Sequence, residues 1–367
     1  MRVLQLIQKP QRRGAETFAV ELARWLEAQG HQSIVVTLYK HDGQQLGLAG
    51  HDVQLGGNEA GPFERAVDPQ LLRALRNVIR EFAPDVVQAN GGRTLKYAAA
   101  ARPLLGARPL WVYRNIDSPA YWLKGRVARL LMPRLVRAGF DAAIGVSEAT
   151  LAEVHRFYGF SGRSVAIPNG VDFSRLEASR PREETLPLLG PGPHRLIWVG
   201  ALGPQKRPDV AVDVLAALAR TDVSLCLVGE GPWRERVHNK VVDLGLEARV
   251  AMLGNRTDIG DLLRAGDLFL STSDTDGQPA VVIEAQHCGL PVVCFDVGGV
   301  RECLTIGSTG FVVTHGDVHR MAELVAALLN EPTQRQKMAS ASVASSARFD
   351  MKNVGPAYET FYTNNMR

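Results

Sequence analysis

Twice along this 367-residue chain a short apolar run gives way to a polar turn and then to a segment with helical spacing, and that doubled rhythm constrains the fold more than any other feature. Short buried runs alternating with amphipathic helices imply parallel strands covered by helices, because parallel neighbours need a long crossover rather than a tight hairpin. The first cycle opens with Val3-Leu-Gln-Leu-Ile7, a turn over 8–14, and a helix over 15–29 whose Phe18, Leu22, Trp25 and Leu26 fall on one side before Gly30. Strands at 33–38, 85–87, 110–113 and 142–146 and a helix over 71–82 continue it. The rhythm restarts at Arg195-Leu-Ile-Trp-Val199, passes through a helix over 209–220, and adds strands at 224–228, 250–253, 268–270 and 292–295. Residues 175–193 between the halves are rich in Glu, Pro and Gly and lack periodicity, as an exposed linker does. The expectation is an α/β protein of two doubly wound parallel-sheet domains. The first covers 1–173, a linker 174–193 and the second 194–350; a helix over 351–367, apolar at Val354, Tyr358, Phe361 and Tyr362, packs across domains.

With 46% hydrophobic and 22% charged residues, the chain has the composition of an ordinary globular protein, which excludes disorder and collagen. No run reaches about 18 uncharged apolar residues and the first residues lack the pattern of a signal peptide, so a cytoplasmic location is expected. Cys226, Cys288, Cys294 and Cys303 form no C-x-x-C pair and read as reduced core residues, with neither a zinc site nor a redox dithiol indicated. The net charge of +4 hides an asymmetry: residues 1–170 hold 22 Lys and Arg against 14 Asp and Glu, and the remainder 20 against 24. A basic first half favours an anionic partner. Aromatics interleaved with these basic residues are too few to indicate nucleic acid.

In open parallel sheets ligands bind beyond the carboxyl ends of the strands, so the loops that follow strands carry the candidates. The loop after Val199 places Gly200 at the turn and Lys206-Arg207 just ahead of a helix whose free N–H groups favour anions, which makes a phosphate cradle or a solvated basic loop. It matches neither G-x-G-x-x-G nor G-x-x-x-x-G-K-[ST], and neither does 8–14, which disfavours a nicotinamide dehydrogenase or a P-loop ATPase. After the strand at 268–270, Asp276 sits in a polar loop and Glu284 about a turn into a helix opened by Pro279. Ionised carboxylates only accept, which suits sugar and ribose hydroxyls; a helix cap plus a surface acid is the plainer alternative.

Residues 270–302 as a whole resemble the donor-site signature of the family 4 retaining glycosyltransferases. The resemblance spans nearly the whole chain: Arg13-Gly-Ala-Glu16, Gly30-His31, Val146-Ser-Glu148, Pro168-Asn-Gly-Val-Asp172, Val199-Gly-Ala-Leu202 with Lys206, Leu227-Val-Gly-Glu-Gly-Pro232, Leu253-Gly254, the Asp276 to Glu284 element, Gly289-Leu-Pro-Val-Val293 and Gly298-Gly-Val-Arg-Glu302. It implies two facing Rossmann-like domains (the GT-B architecture) with a cleft between them. The activity implied is metal-independent transfer of a sugar from a nucleotide diphosphate sugar of UDP or GDP type, with retained anomeric configuration and no further cofactor. A glycan, a lipid-linked or a small-molecule acceptor is implied as the other substrate. By this resemblance Lys206 neutralises the leaving diphosphate, Glu284 binds the ribose, and Asp276 with Gly277, Gln278, Pro279 and Ala280 holds the transferred sugar, making Lys206, Asp276 and Glu284 the catalytic set. Gly14, Gly200, Arg207, Gly229, Gly254, Asn255 and Arg256 join the donor site, and Arg13, Arg114, Asn115 and Asp117 stand on the acceptor side. Three positions depart from the family pattern: Asp276 replaces the usual Glu, Ala201 a frequent Arg, and the loop 112–117 holds Asn115 and Asp117 where a His often stands. An epimerase or phosphorylase on the same fold, or a silent nucleotide-sugar-binding subunit, are the alternatives.

Three weaker signals remain. Residues 124–137 contain five basic residues and no acid; Arg126, Arg129, Arg134 and Arg137 share one helical face opposite Val127, Leu131, Met132 and Leu135. Such a segment is either a solvated helix or a peripheral contact with anionic lipid, which on this chain would be the inner membrane face. His315 and His319 have a spacing that metal ligands use, but Asp317 between them reads as an N-cap, so no metal is expected. Ser147-Glu148 lacks the turn of a nucleophile elbow, which disfavours a hydrolase.

Overall fold

The computed structural model describes residues 1–41, 46–57, 67–105, 109–123, 125–177 and 185–366. It divides into two compact units, one made of Met1–Val171 with Phe349–Arg367 and the other of Asp172–Arg348.

The first unit is built on seven strands: β1 (Arg2–Ile7), β2 (Gln32–Tyr39), β3 (Val53–Gly57), β4 (Val86–Asn90), β5 (Leu110–Asn115), β6 (Ala142–Gly145) and β7 (Arg163–Ala166). They pair in the order β3-β2-β1-β4-β5-β6-β7, every pair parallel. Alternate residues line the two faces. Leu4, Leu6, Val36, Val87, Ala89, Trp111 and Tyr113 pack in one core with Leu75, Leu95 and Val136 from the helices on that side. On the other face Val3, Val86, Val112 and Ile144 meet Phe18 and Leu22 of the helix Gly14–Ala28, together with Met351, Val354, Tyr358 and Tyr362 of the C-terminal helix Met351–Asn365. Each such side chain contributes roughly 1.5–3 kcal/mol by leaving water, which is what brings the end of the chain back onto the first sheet.

The second unit has β8 (His194–Val199), β9 (Val223–Val228), β10 (Val250–Gly254), β11 (Leu268–Ser271), β12 (Val292–Phe295) and β13 (Gly310–Val313), ordered β10-β9-β8-β11-β12-β13 and again all parallel. Counted from its own first strand this is the doubly wound order 3-2-1-4-5-6, whose direction reverses between β8 and β11. The four cysteines lie in this unit, free and buried, and burial pushes the thiols of Cys226 and Cys294 up to about 12 and that of Cys288 to about 11.

Two organisational details differ from the sequence reading. Residues 172–177, placed at the first domain's end and in the linker, belong to the second unit: the Phe173 ring stacks on His287 at 3.8 Å between centroids, and Arg264 donates to the Leu176 carbonyl at 3.2 Å. Residues 178–184 of that expected linker lie outside the described residues. The helix expected to pack across domains is part of the first unit. The sequence pattern does not predict strands β3, β7 and β13; all three are short edge strands, β3 and β7 partly exposed and β13 half-buried.

Candidate functional site

The strand reversal between β8 and β11 puts the loops that follow them side by side, and the expected phosphate loop and carboxylate loop are those two. Their backbones are stitched together. The Asp274 N–H donates to the Gln205 carbonyl at 2.8 Å, and the Gln205 amide donates to the Thr275 carbonyl at 3.3 Å. Beneath them buried Thr272 accepts from the Trp198 indole at 3.0 Å, and its hydroxyl lies 2.7 Å from the Arg207 carbonyl and 3.2 Å from that of Lys206. The result brings the Lys206 ammonium into an ion pair with Asp276 Oδ2, with side chains 27% and 12% exposed.

Two glycines permit this approach. A Cβ on Gly298, whose φ is +50°, would stand 1.8 Å from the Asp276 carbonyl oxygen, and one on Gly229, with φ +134°, would stand 2.0 Å from that of Gly200. No side chain fits at either distance, so Gly229 and Gly200 act as backbone, holding β8 and β9 close at their carboxyl ends.

Arg207, expected among the donor ligands, has its guanidinium engaged within the protein. Nε and Nη2 donate to Asp209 at 3.0 and 3.2 Å, and Nη1 lies 3.2 Å from Asp274 Oδ1. Hydrogen bonding to Asp209 raises the Arg207 pKa further, while for Asp209 burial pushes up but Arg207, Lys240 and Arg236 together hold its carboxyl below the ordinary value. Arg207 also has φ +50°, a left-handed conformation that costs a non-glycine residue on the order of 1–3 kcal/mol. Asp209, Asp274 and His315, whose Nε2 is 2.9 Å from Asp274 Oδ1, were not anticipated here. The sequence signal for Asp274 is its place in the Ser-Thr-Ser-Asp-Thr-Asp run; for His315 the spacing to His319 suggests only metal ligation. Asp317 does cap its helix, accepting from the Arg320 N–H at 3.0 Å.

The remaining second-unit candidates lie in loops that follow β10 and β11 and on the helix Ala280–His287. Gly277, Gln278 and Pro279 are buried and lead to Ala280 at the start of the helix Ala280–His287, where Pro279 occupies the N-cap. Glu284 lies on that helix and is ion-paired with Arg175, a residue the sequence reading left in the linker. Gly254 ends β10 with φ +67°, Asn255 is exposed, and Arg256 is held by Asp258 at 2.9 and 2.7 Å.

In the first unit, Arg13 is the N-cap residue and Gly14 the first residue of the helix Gly14–Ala28, and a Cβ on Gly14 would meet no atom within 4 Å. Glu16 in the first turn is buried; burial raises its pKa, opposed by a hydrogen bond from Gln11 at 3.2 Å and by Arg13 and Lys9. Two acceptor-side expectations need correction. Arg114 is fully buried, donating to Tyr358 Oη at 3.1 Å, Asn90 Oδ1 at 3.3 Å and Asn169 Oδ1, with its guanidinium 3.8 Å above the Phe18 ring. Asn115 is buried as well, donating to the Thr150 carbonyl and accepting from Tyr113 Oη, both at 2.9 Å. Both side chains serve the fold because they point into the packed faces of β5, a central strand; Asp117, past the strand's end, is partly exposed and accepts from the Ser118 N–H at 2.7 Å.

The basic segment also differs from expectation. In the helix Arg126–Gly139 Met132 and Leu135 pack against the core as expected, joined by Val136, whereas Leu131 is 50% exposed and Leu130 60% exposed beside the exposed Arg126, Arg129, Arg134 and Arg137. Lys124 lies outside the described residues. Among the described residues no three His, Cys, Asp or Glu are grouped to hold a metal, and no helix is long and apolar enough to cross a membrane.

Comparison with known proteins agrees with this architecture. Residues 12–175 match the family model described as Glycosyltransferase Family 4, and residues 187–343 match that of Glycosyl transferases group 1. The chain is 29% identical over 279 residues to the lipopolysaccharide core biosynthesis mannosyltransferase LpsB of Rhizobium meliloti, covering 69% of this chain and 78% of that protein. It is 26% identical over 296 residues to a GDP-mannose-dependent monoacylated alpha-(1-6)-phosphatidylinositol monomannoside mannosyltransferase of Corynebacterium glutamicum, covering 75% of each. The crystal structure of Anabaena Alr3699/HepE in complex with UDP and glucose shares the fold, with a TM-score of 0.81 at 23% identity over 98% of this chain and 99% of that one.

Proposed function

We propose that this glycosyltransferase, a chain that belongs to glycosyltransferase family 4, transfers a hexose from a UDP or GDP sugar with retained anomeric configuration and without a metal. The observation that carries the reading is the meeting of Lys206 and Asp276 at the strand reversal of the second sheet. Breaking the bond between sugar and diphosphate builds negative charge on the leaving oxygen, and a fixed ammonium beside a helix start stabilises charge that appears only then. Lys206 faces the diphosphate, Asp276 and the backbone of 277–280 face the sugar, and Glu284 faces the ribose. The acceptor attacks from the face the diphosphate leaves, its proton passing to a donor phosphate oxygen, so no protein base is assigned. The mannosyltransferase relatives and the neighbour holding UDP and glucose support a nucleoside diphosphate sugar as donor, and they favour transfer over epimerisation, phosphorolysis or silent binding.

A thermal-shift panel of UDP, GDP, ADP and TDP sugars in excess chelator tests this. One donor is expected to raise the melting temperature and to release its nucleoside diphosphate in the presence of EDTA, and proton NMR of the product is expected to show the donor's own anomeric configuration. Turnover that stops on chelation, or an inverted product, contradicts the reading.

We further propose that the acceptor is presented at an anionic lipid surface, with the first unit's helix Arg126–Gly139 resting on it. Leu130 lies on the same helical face as Arg126, Arg134 and Arg137, so apolar insertion and charge attraction act together. The protein is expected to co-sediment with vesicles containing phosphatidylglycerol and not with pure phosphatidylcholine vesicles. Leu130→Glu with Leu131→Glu should abolish that binding; equal binding to both vesicle types counts against it.

A further inference from the structure

We infer that Asp274 is a positioning residue for Lys206, fixing the cation by clamping the peptide that follows it, with His315 completing the clamp. This rests on the reading of Lys206 as the diphosphate ligand. Among the described residues only Ala83 and Arg207 are non-glycines with positive φ. Ala83 closes a helix, where a left-handed residue is ordinary. Arg207 instead opens one, the helix Pro208–Ala217, where the N-cap residue is normally extended, and its side chain makes no cap bond. A conformation like this persists only where its surroundings over-determine it, and such residues gather at functional sites.

The surroundings here are specific. The Arg207 guanidinium is gripped by Asp209 and by Asp274, whose Oδ1 lies 3.2 Å and Oδ2 3.5 Å from Nη1. Asp274 Oδ1 is shared with His315 Nε2 at 2.9 Å. The His315 ring stands edge-on to Phe295, 5.6 Å between centroids, so the clamp joins the loops that follow β8, β11 and β13. The Asp274 N–H to Gln205 carbonyl bond fixes the same loop from the other side of Lys206. Two aspartates also occupy the Arg207 charge, leaving Lys206 as the cation of this loop that meets the substrate-side carboxylate Asp276. A lysine side chain is long and flexible; setting its peptide in advance removes part of the reorganisation needed as charge develops.

The test uses the full chain with Asp274→Ala, His315→Ala and His315→Gln, reading hydrogen exchange of residues 203–209 together with kcat and donor KM. In Asp274→Ala, exchange over 203–209 is expected to rise about tenfold or more and kcat to fall about 10–100-fold, with donor KM changing less than about threefold. His315→Gln keeps a donor for Asp274 and should stay within about threefold of wild type, while His315→Ala should lose more. A merely structural role lowers the melting temperature and leaves kcat per folded molecule unchanged, which overturns the inference. Unchanged exchange over 203–209 in Asp274→Ala overturns it too, whatever the kinetics. If the wild type turns over no nucleotide sugar, the reading of Lys206 fails by itself; faster exchange in Asp274→Ala then still supports the clamp, and unchanged exchange removes it.

Discussion

Replacing Lys206 with alanine is expected to lower kcat with the preferred donor by about 10²–10³-fold, the loss typical of removing one fixed donor from a site where charge develops. Lys206 sits where β8 hands over to its helix, and its ammonium is paired with Asp276 across the strand reversal. No second cation repeats its position in that loop, because the guanidinium of Arg207 is gripped by Asp209 and Asp274 and residue 201 is alanine. Removing Lys206 also leaves the Asp276 carboxylate, 12% exposed, without its countercharge, so Lys206→Gln is the companion variant with a polar group retained. Both should bind the free nucleoside diphosphate more weakly than wild type, and both should keep a melting temperature within a few degrees of it. Steady-state assay of nucleoside diphosphate release in EDTA provides the measurement. A kcat within threefold of wild type for both variants would remove Lys206 from the chemistry.

How much of this was legible in the sequence depended on whether a residue's role is written in its own neighbourhood. Interior strands such as β1, β8 and β12 carry mainly apolar stretches buried on both faces, and these announce themselves. The edge strands β3, β7 and β13 include Gln-Leu-Gly-Gly, Arg-Ser-Val-Ala and Gly-Phe-Val-Val, too short to establish a period. Lys206 and Asp276 were found because each follows a strand at a motif spacing, but their contact spans seventy positions and needed the sheet order. Asp274 and His315 share no motif, since they stand on two separate loops, after β11 and β13, and meet Arg207 on a third. The family resemblance places Arg114 and Asn115 on the acceptor side, but they lie on a strand flanked by β4 and β6 with both faces covered, which only the sheet order reveals. The position of a helix at the end of the chain likewise tells nothing about which sheet it covers. Phe18, Tyr358 and Tyr362 determine that by packing together, a contact between residues more than three hundred positions apart.

Arg114→Ala is expected to destabilise the first unit by about 3–4 kcal/mol, more than any other single change to its polar interior. The guanidinium is a buried charge whose described partners are all neutral: Tyr358, Asn90, Asn169 and the face of Phe18. Burying a charge this way is costly, so it persists only because Nε, Nη1 and Nη2 each donate to an oxygen and the ring adds attraction worth about 2 kcal/mol when desolvated. Truncation forfeits those bonds, at roughly 1.5–3 kcal/mol each for a charged donor, and opens a cavity, while recovering the desolvation cost; the losses outweigh that recovery. The groups left behind are not equally harmed. Tyr358 Oη still donates to the Ile167 carbonyl at 3.2 Å, and Asn90 Oδ1 still accepts from Gln88 at 3.1 Å, which is why the total is less than three full bonds. At about 2–4 °C per kcal/mol for a unit of this size the melting transition should move down by about 6–16 °C. The same change should act first on the C-terminal helix, since Tyr358 is its anchor to β5: hydrogen exchange over 351–365 is expected to rise well before that over β4, measured on the same sample. Arg114→Met keeps most of the volume and removes the charge, so it should cost less than the alanine variant. If Arg114→Ala loses under 1 kcal/mol, or if residues 351–365 keep their protection while β4 loses its own, the arginine does not hold the helix to the sheet.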